Sequence, residues 1–497
     1  MLPVLGNLHQ LSVESGHVKL AELSWRYAPR GLMGLQLGPN THAVVVNNWK
    51  VASDLIDQRG AIYSSRPYFP PTMVMPPPGD SHIAMLEYGP KWRKERKTFT
   101  EFLKDSELDN RTPIDEAESS QLMYELLVEP NRFQEHVHRY HGALLTASLF
   151  GTRGKELVHG SLIKRFFDLM EDWSVITTPN FLPPFDIFPF LKFVPDFATP
   201  WRGWKQKARL VGRMQHALYR DFVAGPREGL AQGRGTECFM LDVLRRQEKE
   251  GYSDVDIDYL AGTFCEAGAE TTAAVFSTFL LVMAAYPSIL KKAQGEVDKI
   301  FGNDKMPTRI SDAKLPYLGA CLLEVLRWRP SIAPGIPHAT THDDVYEGSF
   351  IPAKTMVIMN IWGINHDPEE YDHPETFDPG RFLRHPTGSK TSKISPDQST
   401  DSGSRRVVWS FGAGRRVCPG QNMARRNLLL AMAKVVWCFD IEAVSPDGLD
   451  TSLKAFYDGI LMRPKPFQAR FRVRGEDRKR IIEREWEKAD AYLKRFE

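Results

Sequence analysis

Phe411-Gly412-Ala413-Gly414-Arg415-Arg416-Val417-Cys418-Pro419-Gly420 sets one thiol in a particular frame. The glycines at 412 and 414 let the backbone take positive φ and turn tightly, so that N–H groups can point at the sulfur instead of at a strand partner. Arg416 adds fixed positive charge two residues before Cys418. Past Gly420, the apolar run from Asn427 to Phe439 reads as a buried helix. These neighbours favour the thiolate. A lone cysteine is ordinarily a small buried hydrophobe, so it is the context that singles this one out.

The spacing Phe-x-x-Gly-x-Arg-x-Cys-x-Gly, filled by Phe411, Gly414, Arg416, Cys418 and Gly420, resembles the haem-binding signature of the cytochrome P450 family, the haem-thiolate monooxygenases. The resemblance implies haem b with Cys418 as the proximal iron ligand and with Phe411 and Gly412 among the residues against the cofactor. A thiolate in that position pushes electron density toward the iron and favours O–O cleavage. The implied fold is mainly α with a smaller β part, the haem lying between a long central helix and the Cys418 loop.

Size and composition are compatible with that. The 497 residues are 42% apolar and 25% charged, enough for a large core. No linker separates self-contained halves, so one domain is expected over 1–497. Sixty-four Lys and Arg against 62 Asp and Glu leave a net charge of +2, which gives no global field for nucleic acid or a membrane surface. The five cysteines, Cys238, Cys265, Cys321, Cys418 and Cys438, are odd in number, scattered and free of Cys-x-x-Cys, as in a reducing compartment with no zinc site. No signal peptide and no uninterrupted apolar run of about twenty residues is present. The opening Met1-Leu-Pro-Val-Leu-Gly-Asn-Leu-His-Gln10 resembles the segment that follows the membrane anchor in microsomal members of the family. It implies an anchor trimmed or missed ahead of it and a place at the cytosolic face of the endoplasmic reticulum.

Asp256 to Tyr286 lacks proline, is rich in Ala, Leu and Thr, and stops before Pro287, so it reads as one long helix. It is apolar nearly all round and therefore central. Within it, Ala267-Gly268-Ala269-Glu270-Thr271-Thr272 puts a glycine and an acid in mid-helix, both locally unfavourable. Two accounts fit the residues. Gly268 can serve close helix packing with Glu270 solvated, or the small side chains can leave room for a gas-sized ligand while Glu270 and Thr271 bond water. The stretch resembles the family's Ala/Gly-Gly-x-Asp/Glu-Thr-Thr/Ser. That match implies Thr271 holding dioxygen and its protons in place, with Glu270 in the proton delivery relay.

Other family features follow in order. Trp92 and Arg96, four apart on a helix starting near Pro90, resemble the Trp-x-x-x-Arg that binds a haem propionate. Lys91, Arg93, Lys94 and Lys97 around them also fit a plain solvated basic face. His338, after Ile336-Pro337, stands where relatives place a basic propionate partner, and Arg416 is assigned there too. Glu324 and Arg327, within a helix expected over Leu315 to Trp328, resemble the Glu-x-x-Arg that locks with a later arginine, here Arg381. Gly380 replaces the family's usual glutamate in that loop, which implies a less rigid loop.

Residues 31 to 47 and Thr355 to Asn360 read as strands. The Pro- and Met-rich segment from Pro67 to Tyr88 cannot be regular helix; it is a surface excursion or, by resemblance, the cover of the substrate pocket. His136, His138 and His141 lack a completing ligand set and read as helix-surface histidines. Pro179 to Trp204 is greasy and irregular, either internally packed or an exposed patch for membrane contact and substrate entry. Its Phe188 to Pro195 portion resembles the loop before the pocket-roofing helices of fungal members. Residues 385–405 read as a flexible insert and 476–497 as a docked amphipathic helix. Phe456 to Leu461 resembles a turn that points side chains into the pocket.

The expected activity is insertion of one atom of dioxygen into a hydrophobic small molecule, by analogy a fungal secondary metabolite such as a polyketide. No Gly-x-Gly-x-x-Gly site or fused flavin module is visible, so the electrons come from a separate NADPH–cytochrome P450 reductase, with cytochrome b5 as an accessory donor. Arg405, Arg406, Arg415, Arg425 and Arg426 form either a dock for an acidic partner or a solvated face. Two rivals share the haem pocket: a haem-thiolate isomerase or dehydratase that needs no dioxygen, and a non-catalytic haem- or ligand-binding protein.

Overall fold

The long apolar run becomes one helix in three pieces: α-helical Asp254–Cys265, π-helical Glu266–Glu270 and α-helical Thr271–Ala285. It starts two residues earlier than expected, because the Ser253 hydroxyl accepts the Asp256 N–H while the Asp256 carboxylate accepts the Ser253 N–H, a capping box. Pro287 ends it, holding Tyr286 at φ −125°. The helix is long and apolar enough to cross a bilayer, yet most of its apolar window is buried inside the protein, as for a core helix.

This chain is seen in a computed structural model that describes residues 5–11, 14–39, 41–68, 82–177, 181, 183–184, 188–198, 200–309, 314–390, 405–445 and 447–497. Two cores meet on the central helix. Val275, Phe276, Phe279 and Met283 of its second half pack with the helices Thr112–Val128, Phe133–Phe150, Pro287–Phe301, Pro316–Trp328 and Gln421–Cys438. Ile257, Leu260 and Phe264 of its first half pack with the helices Pro90–Phe102, Leu162–Thr177, Trp204–Ala231 and Phe239–Arg245. Burying both faces places the helix at the centre, where apolar burial at about 25 cal/mol per Å² dominates.

The β part is small. β1 (Leu32–Gln36) and β2 (His42–Val46) are antiparallel, with Leu32 opposite Val46. Around them β3 (His338–Ala339) and β6 (Met356–Met359) complete a four-stranded sheet ordered β1-β2-β6-β3, in which only the β2–β6 pair is parallel. β4 (Asp344–Tyr346) and β5 (Ser349–Ile351) form a hairpin. β7 (Phe439–Ala443) pairs antiparallel with β8 (Ala469–Val473). The architecture is mainly α with a smaller β part.

Two features of the helical part differ from, or add to, the sequence picture. His136 and His141 are buried, not on a helix surface, because the Phe133–Phe150 helix is buried on nearly every face between the two cores. Each of the three histidines meets a backbone carbonyl: His136 Nε2 at Glu129 O (3.0 Å), His138 Nδ1 at Gln134 O (2.8 Å) and His141 Nδ1 at Val137 O (2.9 Å). Among the described residues no group of His, Cys, Asp and Glu is arranged to hold a metal ion. The C-terminal helix spans Glu476–Leu493, with a 3-10 turn over Lys494–Phe496. It buries Ile482 and Leu493, stacks Trp486 on Tyr124 at 5.2 Å between centroids, and is tied down by Arg153 to Asp490 (2.7 Å) and Glu497 (2.6 Å). Most of the polar insert, residues 391–404, lies outside the described residues, as does most of the Pro67 to Tyr88 segment.

Candidate active site

The Cys418 loop is held by its backbone. Cys418 N–H donates to Phe411 O (2.8 Å), Gly412 N–H to Trp409 O (2.8 Å) and Gly414 N–H to Asp57 Oδ1 (2.6 Å). Gly412 and Gly414 take φ of 74° and 61°, and a Cβ on Gly414 would stand 2.2 Å from Ile56 O. These glycines therefore serve the turn and a close approach; their N–H groups do not aim at the sulfur, contrary to expectation. The N–H groups that reach the sulfur belong to Gly420 and Gln421, at the start of the Gln421–Cys438 helix, which begins six residues before the apolar run that announced it.

Arg416 also differs from expectation. Its guanidinium donates to Ser64 O (2.8 Å) and Leu86 O (2.6 Å) and lies 4.4 Å from the Trp92 ring centroid. The cation whose charge acts on Cys418 is Arg96, which donates to Val417 O at 2.6 Å. Burial pushes the Cys418 thiol up from its ordinary value, while the Gly420 N–H, Arg96 and the Gln421 N–H pull it down.

Cys418 opens onto a cavity of about 500 Å³. Trp92, Arg96, Glu270, Thr271, His338, Phe411, Gly412 and Arg416 line it as well, so residues chosen from four separated stretches converge on one space. One rim is strongly basic. To Arg96 and Arg416 the fold adds Arg66, which sequence reasoning missed; it donates to Ile336 O (2.7 Å), Pro337 O (2.8 Å) and Ala84 O (3.0 Å). Burial lowers Arg66 to about 9, with Arg416 adding to the effect, and lowers Arg416 to about 10, with Arg96 adding to it. Burial likewise lowers His338, to about 3, with Arg66 next in effect, and its Nδ1 sits 2.7 Å from Tyr63 O.

Among the described residues no carboxylate pairs with Arg66, Arg96 or Arg416. Three clustered guanidiniums without a counter-charge are costly unless an anion joins them. A group with two carboxylates above a thiolate ligand suits this rim and this sulfur, which is what haem b presents. No single-residue signal marks Arg66, since it lies in an irregular stretch far in sequence from the other arginines.

The opposite wall is the central helix. The π-helical turn widens it at Glu266–Glu270, as such turns do at functional sites. Thr271 Oγ1 donates to Ala267 O (2.7 Å). Gly268 lines the cavity and also packs closely, since a Cβ there would stand 2.9 Å from Leu145 Cδ1. Glu270 is buried, which removes the solvated alternative; its Oε2 has no partner among the described residues. Burial pushes its carboxyl up, with His138 and Arg463 acting in the other direction. The structure also brings His82, Glu266, Gln215 and Tyr219 together on this wall. Only Glu266, an acid in an apolar helix one residue before Ala267, carried a hint of this in the sequence.

Beneath the Cys418 loop, Glu324 is fully buried and accepts from Arg327 Nε (2.7 Å) and Nη2 (2.8 Å), Arg381 Nε (3.0 Å) and Asp378 N–H (2.9 Å). Arg327 Nη1 donates to Asn365 O (3.1 Å), Asn365 Nδ2 to Ser410 Oγ (3.2 Å), and the Ser410 hydroxyl to Leu326 O, so the triad is linked to the residue before Phe411. In the loop where Gly380 replaces a glutamate, Asp378 takes over the bracing: it accepts the Gly380 N–H (2.9 Å) and pairs with Arg384 (2.6 Å). On the next turn of chain, Ile460 and Leu461 line the cavity, whereas Phe456 packs into the core near Trp328. The basic residues near the cysteine have partners inside the chain: Arg405 pairs with Glu370 (2.9 Å), Arg406 with Asp57 (2.5 Å) and Arg426 with Asp105 (2.8 Å), and Arg415 donates to Tyr88 OH (2.6 Å).

A thiol presented by a glycine loop faces a widened apolar helix across a basic-rimmed cavity, an arrangement that suits haem held through sulfur. The chain belongs to the cytochrome P450 family, whose pattern matches residues 1–471. It is 33% identical over 98% of its length to a cytochrome P450 monooxygenase of Arthrobotrys oligospora, covering 90% of that protein. Identity is also 33% to cytochrome P450 monooxygenase fogE of Aspergillus ruber (98% of this chain, 88% of the relative) and 30% to cytochrome P450 monooxygenase patH of Penicillium expansum (99% and 91%). The protein is thus a cytochrome P450 monooxygenase, and membership of the family implies haem with a cysteine thiolate ligand.

Proposed function

We propose that this monooxygenase oxidises a hydrophobic small molecule, a fungal secondary metabolite such as a polyketide, with electrons from a separate NADPH–cytochrome P450 reductase and cytochrome b5 as an accessory donor. The observation that carries the reading is the pairing of Cys418 with Glu270 and Thr271 across one largely apolar cavity. Haem bound through Cys418 supplies the chemistry of dioxygen activation. The Gly420 and Gln421 N–H groups stabilise negative charge on the sulfur. Arg66, Arg96, Arg416 and Trp92 bind and orient the cofactor's carboxylates, with His338 beside them.

On the opposite wall, the Thr271 hydroxyl keeps its own hydrogen on Ala267 O and presents lone pairs to the cavity, so it can accept a hydrogen bond from water there. Glu270, whose burial favours the protonated form, has an oxygen with no partner among the described residues, from which a proton can pass toward that hydroxyl. Ala267 and Gly268 keep side-chain bulk away from the same spot.

Reconstitution with a reductase and NADPH, screening apolar metabolites, tests this: an oxidised product that requires NADPH and dioxygen is expected. Product formed without either would favour the isomerase or dehydratase reading instead. Exposed Phe190, Phe193 and Phe197 (62%, 87% and 76% accessible) support peripheral contact with the cytosolic face of the endoplasmic reticulum. Protein that stays wholly in the supernatant with sedimented phosphatidylcholine vesicles would exclude that contact.

A further inference from the structure

The cavity wall holds a polar network that the proton pathway does not use. Glu266, on the central helix, receives hydrogen bonds from Gln215 Nε2 (2.8 Å) and from the Tyr219 hydroxyl, both on the Trp204–Ala231 helix. Its other oxygen lies 2.7 Å from His82 Nε2. The network is built into the packing: a Cβ on Gly262, one turn before Glu266, would stand 2.2 Å from Tyr219 Cδ1, so only glycine lets that ring lie against the helix. The Trp173 ring runs parallel to His82, with centroids 6.2 Å apart.

A carboxylate oxygen accepts, so in the neutral ring the His82 nitrogen facing it carries the proton and Nδ1 is left as a lone-pair acceptor. His82 is 8% exposed and lines the cavity, and its Nδ1 is buried with no partner among the described residues. Thr263, three residues before Glu266, also lines the cavity, and its Oγ1 is buried with no partner among the described residues. Buried polar atoms are normally satisfied, and two orphans on residues of one ligand-facing wall leave bonding capacity that a ligand can complete. The surrounding surface, with Phe99, Phe264 and Met170, is apolar.

We propose that His82 is a specificity-determining hydrogen-bond acceptor, held in one tautomer by Glu266, and that the substrate is an apolar molecule bearing a hydroxyl group that donates to His82 Nδ1. This rests on the reading that the cavity takes a small apolar substrate. A compound of the same shape without the O–H leaves Nδ1 unpaired in an apolar site, the situation in which enzymes discriminate best.

The test uses the haem-loaded protein and isothermal calorimetry with 2-naphthol and 2-methoxynaphthalene, and with 2-naphthylmethanol and its methyl ether to separate a phenol from an alcohol. At least one hydroxyl compound should bind about tenfold tighter than its ether, the worth of one net hydrogen bond. His82→Phe should bring that ratio close to one. Glu266→Gln gives a sharper signature: the new amide N–H can donate to His82 Nε2, which moves the ring proton to Nδ1, and an ether oxygen can then accept from Nδ1–H. Ether affinity should rise in that variant, which loss of packing alone would not produce. Equal affinities within both pairs in the wild type, no binding by any of the four, or an unchanged ratio in His82→Phe with its reduced carbon monoxide band intact would overturn the proposal. If His82→Phe fails to load haem, Glu266→Gln decides. Calorimetry needs neither dioxygen nor reductase, so preference without NADPH-dependent product would count against oxidation of such a substrate and leave the hydroxyl handle standing.

Discussion

The two walls of the cavity are built on opposite rules. On the Cys418 side, the N–H groups of Gly412, Gly414 and Cys418 all find acceptors within the chain, and the lock beneath gives Glu324 four donors. On the facing side, His82 Nδ1, Thr263 Oγ1, His141 Nε2 and Glu270 Oε2 have no partner among the described residues, and the helix carrying two of them is widened by a π turn. A wall that must hold one ligand in one place has the hydrogen bonds of its loop and lock satisfied by the fold itself, and leaves only the arginine charge for the ligand to balance. A wall that meets substrate and protons in turn keeps bonding capacity free, and free capacity in a buried site costs stability.

The contrast breaks most simply at the sulfur. Cys418→Ser should abolish the red-shifted Soret band of the reduced carbon monoxide complex and reduce NADPH-dependent turnover to background; a retained thiolate band would remove Cys418 from the iron. Next in size, Glu324→Ala leaves Arg327 and Arg381 buried without their anion, which should cost about 3–5 kcal/mol. Urea unfolding monitored with haem retention would show it, and a cost near zero would mean that the fixed side is not held by this lock.

Changes on the facing wall should leave the scaffold intact and alter chemistry. Thr271→Ala should load haem normally while product per NADPH falls by about tenfold to a hundredfold, within or just below the range for a positioned proton donor, with the electrons appearing as peroxide. Unchanged coupling would take Thr271 out of proton delivery. The smallest effect belongs to Glu270. Burial raises its carboxyl in the folded state, so the folded protein holds a proton that the unfolded chain releases. That contribution to stability is present below the ordinary value of 4.5 and is lost as pH rises through the raised value. Glu270→Gln cannot ionise, so its melting temperature relative to wild type should rise from pH 5 to pH 8. A pH-independent difference would show that Glu270 titrates as an exposed acid.

Much of this was legible before any coordinates. The ten residues from Phe411, the Ala267 to Thr272 stretch and the Glu324–Arg327 spacing are local patterns, and local patterns survive in one dimension because a turn, a helix face or a mid-helix acid involves neighbours in sequence. The same locality misled where direction mattered. Nothing in the spacing said that Gly414 faces Ile56 and Asp57, or that Arg416 turns to Trp92 while Arg96 faces the sulfur. His136 and His141 looked like surface residues because their helix is polar in places, and only packing on both sides shows them buried.

The sequence by itself therefore determined the family and the helical class, and it singled out the sulfur and the acid–hydroxyl pair that the fold brings to one cavity. Only the tertiary structure decided what completes the site: Arg66 joining Arg96 and Arg416 on one uncompensated rim, and His82 meeting Glu266, Gln215 and Tyr219 from separate segments. The physical reason is that charge balance and hydrogen-bond satisfaction are properties of a closed volume. Residues far apart in sequence share that volume only after two cores have packed against the central helix.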